Sequence, residues 1–520
     1  MLLRFCPSLP FLLRPRFFTA TRMASHSTPT TPPPPHLVIV IAGPTAVGKS
    51  RIAQRLLKTI EGGVVLSADS VQVYRDVEIG ANKPPRGSTE RQTTVLLDIV
   101  ENNNKTYSAG DWRRDALYAL EKVTSGDVME EDVTEENDDT IVQHEDDEAA
   151  ARRRRRQIQS TLAFVKNQQK GTAASLTPPI IVGGTMMYLQ WLVYGQPDAV
   201  QSTPEAVQVA HATVTELEAS YQNDWPEVIA QTKSRLSFIN DQQRDALHGA
   251  LDKLSDNDWY RLRRIMEVAI THSSTDDRPL FDGTRHGGLL DEPSTYDVRC
   301  FFLCPAERMQ HCHTMDERCE RMLLHPSGSG LLQETVQLLL DATDDGDDAA
   351  TIAPMVTKAI GYRQTLTYLR RPDPQPNDVE ALQAYLADFC AATRRYAKKQ
   401  MQWFRRDPHM YFVSVAADND DTAALATIQR LVELPRDEYT TELLSESSSS
   451  AQTRATNEAQ GKAMKFYQFQ PMQPGSPEFS RLLEVADACT RQCQEHVATN
   501  SSCNNAVSDS WHLPQSSSAG

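Results

Sequence analysis

The sequence lacks any apolar run of the length that a membrane-spanning helix requires. Its 520 residues are 40% apolar, but no stretch reaches the roughly 18 consecutive apolar residues of a typical span. The hydrophobic start, residues 1–20, is interrupted by arginines and prolines. This length and composition predict a soluble globular protein with a sizeable core and no membrane association.

The sequence also lacks a paired cysteine framework. Its nine cysteines are scattered along a long chain, which is typical of reduced thiols in an intracellular compartment. One group near the end, Cys489, Cys493, His496 and Cys503, has a spacing that matches no common zinc finger. We expect these to be loose cysteines in a disordered tail, and a zinc site is the alternative.

Acidic residues are absent from the first sixty positions, up to Glu61. Arginines lie among Leu, Phe, Ser and Thr in the same stretch, and this composition is typical of a mitochondrial presequence. An unstructured leader without an address is the alternative. A shorter form starting at Met23 would lack the leader, so the sequence predicts a mitochondrial protein with a second, cytoplasmic form.

Basic residues are absent from Asp127 to Ala150, where twelve acids lie close together. This one segment supplies most of the formal net charge of −16, so the net charge says little about a binding face elsewhere. Five consecutive arginines, 152–156, follow it. Because residues 125–156 have almost no apolar periodicity, we expect a disordered surface insert there.

Short apolar runs alternate with amphipathic stretches over much of the chain. Strands are predicted at residues 37–41, 64–66, 179–182, 298–303 and 410–415, with helical patterns between them. The fold class is therefore α/β, a parallel sheet flanked by helices. The predicted organisation is a presequence and linker (1–35), a first core part (36–195), a small helical insertion subdomain (196–257), a second core part (258–415) and a weakly ordered low-complexity extension (416–520).

Glycines and a Lys-Ser pair connect the first strand to the first helix. Residues Gly43 to Ser50 read G-x-x-x-x-G-K-S, which is a complete P-loop in the right context, so the sheet is P-loop NTPase-like. Backbone N–H groups, Lys49 and the helix N-terminus bind phosphates, and Ser50 can hold Mg²⁺. Such a loop recognises a diphosphate without showing whether it belongs to ATP or to another ligand. The predicted diphosphate-binding residues of the loop are Gly43, Thr45, Ala46, Val47, Gly48, Lys49 and Ser50.

Further motifs follow in a fixed order. They include Ser67-Ala68-Asp69-Ser70, Ile79 to Pro84, Gly183 to Tyr188, Lys358 to Gln364 and Ala392 to Gln400. In order and spacing they resemble the tRNA dimethylallyltransferase family, also called tRNA isopentenyltransferases. The resemblance spans residues 37–406 apart from the acidic insert. It implies transfer of a dimethylallyl group from dimethylallyl diphosphate to N6 of the adenine at position 37 of tRNA, next to the anticodon.

This reaction needs a stabilised diphosphate leaving group and a base for the amine proton. Asp69 follows the second strand, at the edge where open α/β sheets place ligands, and could accept the proton. A Mg²⁺ ligand or a helix cap is its alternative role. The resemblance adds Arg318 as a diphosphate ligand and Thr185 as a residue that positions the reacting groups. Without the resemblance, Arg318 would be a surface charge and Thr185 part of a tight turn.

Other residues are predicted to contact the diphosphate or the tRNA. Lys83 could add charge near the diphosphate, although an exposed loop lysine is the alternative, and Gln72 could bind the edge of the base. A basic segment at 394–406 has charges four residues apart on a helix and contains no acid, so one face can follow a phosphate backbone. The predicted tRNA-binding residues are Gln72, Arg264, Arg394, Arg395, Lys398, Lys399, Gln402, Trp403 and Arg405. We expect a monomer that uses Mg²⁺.

Three other functions share parts of this pattern. A P-loop kinase of a small metabolite shares the first strand, loop and helix, but no arginine-bearing lid is evident. An adenylate isopentenyltransferase would act on free adenine nucleotides, whereas the helical insertion and the basic segment favour tRNA. A non-catalytic tRNA-binding protein would not need the intact loop together with Asp69 and Thr185.

Overall fold

The computed structural model describes most of the chain beyond the N-terminal region. The described residues are 34–60, 63–102, 107–127, 147–168, 178–197, 202–221, 224–239, 241–254, 258–271, 285–344, 352–405, 407–416, 420–448 and 467–503. The strands are β1 (His36–Ala42), β2 (Val64–Ala68), β3 (Thr94–Val95), β4 (Pro179–Gly183), β5 (Gln196–Pro197), β6 (Arg285–His286), β7 (Tyr296–Pro305) and β8 (Met410–Val415). The helices are α1 (Lys49–Leu57), α2 (Thr89–Gln92), α3 (Ala109–Ser125), α4 (Asp147–Gln168), α5 (Met186–Tyr194), α6 (Pro204–Ser220), α7 (Trp225–Arg235), α8 (Asp241–Leu251), α9 (Trp259–Thr271), α10 (Arg308–Leu323), α11 (Leu331–Asp344), α12 (Pro354–Lys358), α13 (Tyr362–Leu369), α14 (Val379–Phe404), α15 (Thr422–Glu433), α16 (Arg436–Ser448) and α17 (Pro477–Cys503).

A parallel sheet forms the centre of the molecule. Its six strands lie in the order β3-β2-β4-β1-β7-β8, and every pairing between them is parallel. The five predicted strands all lie in this sheet, and the α/β prediction is confirmed. The short β3 was not predicted. Strands β5 and β6 form a separate antiparallel pair.

The sheet is covered by helices on both faces. In β1, Val38 and Val40 pack into the main core cluster, whereas Ile39 and Ile41 pack into a second cluster on the other face. Helices α1, α15 and α16 bury apolar side chains on this second face. Because both faces are buried, the strands are continuous apolar runs rather than alternating ones.

The helical insertion has a core of its own. Apolar residues of α6, α7 and α8 pack together, and α9 contributes Leu262, Met266 and Ala269 to the same cluster. The helices after β5 therefore share a core of their own. Because α9 (Trp259–Thr271) packs in it, this core extends beyond the predicted subdomain end at residue 257.

Part of the expected disordered insert is helical. Residues 128–146, which contain most of the acids, lie outside the described residues. The five arginines, however, lie within α4, so the prediction of disorder up to residue 156 was wrong. Ile158 and Leu162 of this helix are fully buried in the main core. Their packing stabilises the helix. The neighbouring run of arginines makes this apolar pattern hard to recognise in the sequence.

The prediction of a weakly ordered extension from residue 416 was also wrong for most of its described part. Helix α15 buries Ile428 and Leu431 on the sheet, and α17 buries Phe479 and Leu482 in the main core. Cys489 is buried in the same core, so it lies in a packed helix and not in a disordered tail. The polar composition of this region reflects the exposed faces of its helices and the segments outside the described residues.

Two features are absent from the described residues. None of their helices is long and apolar enough to cross a membrane. The same residues contain no group of three or more His, Cys, Asp or Glu side chains arranged to hold a metal ion.

Candidate active site

The predicted P-loop curls between β1 and α1 as the motif requires. Gly48 has φ 97° and Ala46 has φ 64°, both in the left-handed region. Gly48 caps α1, and the helix begins at Lys49. A loop of this shape directs backbone N–H groups and a helix N-terminus toward one point, which favours an anion there.

Lys49 and Arg318 bring two positive charges to this loop. The Lys49 ammonium donates to the carbonyl of Pro44 at 2.9 Å, and the Arg318 guanidinium donates to the hydroxyl of Thr45 at 2.9 Å. Arg318 belongs to α10, more than 250 residues away in the sequence. The structure therefore brings this predicted residue to the loop.

Burial changes the proton affinity of Lys49. It lowers the pKa of Lys49, with a further contribution from Arg318 and an opposing one from the Asp69 carboxylate, to about 7. Burial also lowers the pKa of Arg318, with Asp69 again opposing. Two partly desolvated cations beside each other favour the binding of an anion that carries more than one negative charge.

Asp69 and Thr185 lie at the ends of two neighbouring strands, β2 and β4. The Asp69 carboxylate accepts hydrogen bonds from the backbone N–H of Val71 at 2.9 Å and of Gln72 at 3.3 Å. The Thr185 hydroxyl accepts from the N–H of Ser70 at 3.0 Å. Asp69 therefore caps a turn rather than a helix, and Thr185 holds the same turn.

Glycines allow the two strand ends to approach closely. A Cβ atom on Gly183 would lie 2.1 Å from the carbonyl oxygen of Ala68, and one on Gly184 would lie 3.4 Å from that of Gly43. Both strands are thus in contact just before the site. The carboxyl edge of β2, β4 and β1 holds Asp69, Thr185 and the P-loop together.

Gln400 connects this edge to α14. Its side-chain oxygen accepts from the N–H of Thr45 at 2.9 Å, and its NH₂ group donates to the carbonyl of Gly184 at 2.9 Å. Gln400 is only 2% exposed. Gln400 ends the family motif Ala392 to Gln400, and its contacts join the P-loop to the loop after β4.

Two other residues of the site were not predicted. The imidazole Nε2 of His311 lies 2.9 Å from the carbonyl of Thr45, so the N–H of the ring is on Nε2 and donates. Burial lowers the pKa of His311. The hydroxyl of Tyr396 donates to the carbonyl of Gly184 at 3.3 Å. His311 lies on α10 seven residues, or about two turns, before Arg318. Both residues of this helix contact Thr45 of the P-loop.

Lys83 and Gln72 bind residues other than those of the P-loop. The ammonium of Lys83 is fully buried, 2.6 Å from the carboxylate of Asp98, and also donates to the carbonyl of Tyr74. The Gln72 side chain donates to the carbonyl of Ala81 at 3.1 Å. The predicted contacts to diphosphate and to the base are therefore replaced by bonds that fix the loop after β2.

The predicted tRNA-binding residues fall into two groups. Arg394 is paired with Asp316, and its guanidinium lies over the ring of Tyr467. Arg264 on α9 is paired with Glu267 at 3.0 Å. The remaining residues on α14 and just after it are exposed and form one basic stretch: Arg395, Lys398, Lys399, Gln402, Trp403 and Arg405.

Known proteins resemble this chain over most of its length. A protein named tRNA dimethylallyltransferase 9 from Arabidopsis thaliana is 29% identical over 443 residues, which cover 80% of this chain and 79% of that protein. A tRNA dimethylallyltransferase from Protochlamydia amoebophila is 27% identical and covers 73% and 84%. A crystal structure of a tRNA isopentenylpyrophosphate transferase from Bacillus halodurans is 20% identical and covers 79% and 98%, with a TM-score of 0.40.

The family model described as IPP transferase matches residues 72–129 and 157–407. The matched ranges include Thr185, Arg318 and Gln400, and they omit the arginine run of α4. They cover more than half of the 520 residues. The chain therefore belongs to the IPP transferase family.

Proposed function

We propose that the protein transfers a dimethylallyl group from dimethylallyl diphosphate to N6 of the adenine at position 37 of tRNA, giving N6-isopentenyladenosine and diphosphate. One observation carries the proposal. Two cations and a carboxylate, Lys49, Arg318 and Asp69, lie at the same edge of the sheet, and the carboxylate is close enough to act on the pKa of both cations. The names of the relatives supply the acceptor.

The P-loop binds the diphosphate of the donor. Negative charge develops on the leaving oxygens as the bond from the allylic carbon to oxygen breaks, and Lys49 and Arg318 stabilise that charge. The guanidinium of Arg318 is already oriented by the Thr45 hydroxyl. Fixed donors of this kind need little reorganisation during the reaction.

Asp69 accepts the proton that the N6 amine loses as its nitrogen bonds to the allylic carbon. The backbone bonds of Asp69 use one carboxylate oxygen, Oδ1. The second oxygen, Oδ2, is the one that we assign to the proton. Thr185 fixes the turn that carries this carboxylate.

Mg²⁺ would bind at the P-loop together with the diphosphate. Ser50 is exposed at the start of α1, and its hydroxyl would be a protein ligand. Mg²⁺ commonly combines few protein ligands with phosphate oxygens and water. When bound, the ion would neutralise charge on the leaving diphosphate.

The exposed basic stretch of α14 binds the tRNA backbone. Lys398 and Lys399 supply charge to phosphates, and Trp403, which is 43% exposed, offers a ring on which a base can stack. The adenine must leave its stack to reach Asp69. We further propose that the protein acts as a monomer in mitochondria, with a cytoplasmic form that starts at Met23.

An acceptor comparison tests this function. The full chain is incubated with labelled dimethylallyl diphosphate and Mg²⁺, and unmodified tRNA, AMP or ATP is offered in separate reactions. We expect label in tRNA alone. Label in AMP but not in tRNA would overturn the proposal in favour of an adenylate isopentenyltransferase, and binding of tRNA without transfer would favour a non-catalytic protein.

A further inference from the structure

Helix α4 carries the five consecutive arginines, Arg152 to Arg156. Successive helical residues are about 100° apart, so Arg152, Arg153, Arg155 and Arg156 spread over a face of about 160°, with Arg154 on the opposite side. The burial agrees with this geometry. The exposed residues are Arg152, Arg153, Arg155 and Arg156, whereas Arg154 is half-buried. We call these four residues the arginine face.

Arg154 attaches the helix to the protein. Its Nε donates to the carboxylate of Asp115 at 2.7 Å, and its guanidinium lies 5.3 Å from the ring centre of Tyr107. Asp115 is 2% exposed. An ion pair with one buried partner fixes the helix rotation. Within the arginine face, the guanidinium of Arg155 lies 5.4 Å from the ring centre of Tyr118 on α3, and all four side chains remain exposed.

The arginine face lies near the site edge of the sheet. Gln157, the next residue, donates to the carbonyl of Asp98 at 3.0 Å and accepts from Arg75 at 3.0 Å. Arg75 comes after β2 and Asp98 after β3, so both lie beyond the carboxyl ends of their strands. Asp69 ends the same β2. Helix α4 therefore reaches the carboxyl edge of the sheet, the edge that carries the candidate active site, at the residue next to the arginine face.

We propose that the arginine face of α4 binds phosphates of the tRNA whose adenine enters the site. This inference depends on the proposed function for its ligand. Arginine is suited to phosphate because its planar donors can grip two oxygens at once. Four exposed arginines within one helical turn can contact neighbouring phosphates of one strand, and this contact is independent of base sequence.

The surface extends what α14 provides. The sheet order places β2 and β3 at one end and β7 and β8 at the other. Helix α4 contacts the segment after β3 through Gln157, whereas Gln400 of α14 contacts the loops after β1 and β4. Contacts at both places hold the tRNA on two sides of the reacting base, which restricts its rotation as the base enters.

The test compares two quadruple variants of the full chain. In the first, Arg152, Arg153, Arg155 and Arg156 are changed to Gln; in the second they are changed to Lys. We expect the Gln variant to raise both the Kd and the KM for tRNA about tenfold or more at moderate salt. Each phosphate contact accounts for about 0.7 to 0.9 in the slope of log affinity against log salt, so the slope should fall by about two or more. The kcat and the KM for dimethylallyl diphosphate should not change.

Two controls make the result specific. The Lys variant keeps the charge, so most of the salt slope should remain. A third variant, Lys58, Arg436, Arg481 and Arg491 changed to Gln, removes four exposed charges elsewhere and should leave tRNA binding near that of the unaltered chain. The inference is overturned if the first and third variants bind tRNA equally well. If the unaltered chain transfers nothing to tRNA, the proposed function fails instead, and tRNA binding still reports on the arginine face.

Discussion

Asp69 has a structural contact and a proposed chemical role, and two substitutions separate them. Asp69→Asn keeps an oxygen that accepts from Val71 and Gln72 but lacks the basic carboxylate. We expect it to slow transfer by about two or more orders of magnitude, the size of a lost general base, with tRNA binding near normal. The measurement is single-turnover transfer together with tRNA binding.

Asp69→Ala serves as the comparison because it removes the cap as well as the base. It should lose some stability in addition to activity, typically about 1 kcal/mol for a lost cap. A near-normal rate for the Asn variant would remove Asp69 from the proton transfer and leave it as a capping residue.

Lys49 predicts a pH dependence for the binding of diphosphate. Its pKa of about 7 in the free protein means that the ammonium is present below pH 7 and lost above it. A bound anion raises the pKa again, so binding above pH 7 requires uptake of a proton. The affinity for inorganic diphosphate should therefore fall with rising pH, by up to about tenfold per unit.

Calorimetric titration with inorganic diphosphate from about pH 6 to pH 9 measures this effect. Lys49→Arg is the matched variant because its guanidinium stays charged. The ionisation of diphosphate itself is common to both proteins. The same pH profile for both would contradict the role of Lys49 titration.

Residue types at strand ends could be predicted from the sequence, but their hydrogen-bond partners could not. Asp69 and Thr185 lie at the carboxyl edge of the sheet beside the P-loop, and Arg318 contacts the P-loop, as expected. Lys83 and Gln72 were also predicted to contact ligands, yet their donors are taken by Asp98 and by backbone carbonyls. Such bonds join residues that are several positions apart in an irregular loop, where no periodic pattern reports on them.

At the scale of the element, α14 serves the site with one face and solvent with another. Gln400 is buried against the P-loop, and Gln402 is exposed two residues later. We expect Gln400→Ala to lower kcat about tenfold or more because Thr45 and Gly184 lose the hydrogen bonds that position two site loops. Its tRNA affinity should stay near that of the unaltered chain.

Gln402→Ala is the opposite case, with a raised KM for tRNA and an unchanged kcat. Steady-state kinetics with tRNA as the varied substrate distinguish the two. If both variants changed only the KM for tRNA, the connecting role of Gln400 would be wrong.

Helix α15 is connected to the P-loop helix α1 by a buried carboxylate. Asp421, which is fully buried, accepts from two nitrogens of Arg51 on α1. Asp421→Ala removes this pair, and since Arg51 is 41% exposed it can still reach water. We expect a loss of about 1–2 kcal/mol in the free energy of unfolding, measured by chemical denaturation.

Glu442→Gln is the control in the same region. Its pair with Arg430 is exposed on both sides, so solvent and salt screen it and the cost should be smaller than that of Asp421→Ala. Equal costs for the two substitutions would show that burial of Asp421 adds nothing.

At the scale of the whole molecule, the parallel sheet and its P-loop were predictable because apolar strands and glycine motifs are local signals. The helices at 147–168 and after residue 420 were not. Their apolar positions, such as Ile158 and Phe479, are stabilised by distant parts of the core. Runs of arginine, serine and glutamine around them suggested disorder instead.

The account as a whole requires one product at one place. The most direct measurement is mass spectrometry of tRNA after reaction with dimethylallyl diphosphate, combined with an assay of released diphosphate. We predict one isopentenyl group on the adenine at position 37 for each diphosphate released. Diphosphate release without modified tRNA, or a modification at another nucleoside, would contradict the central claim.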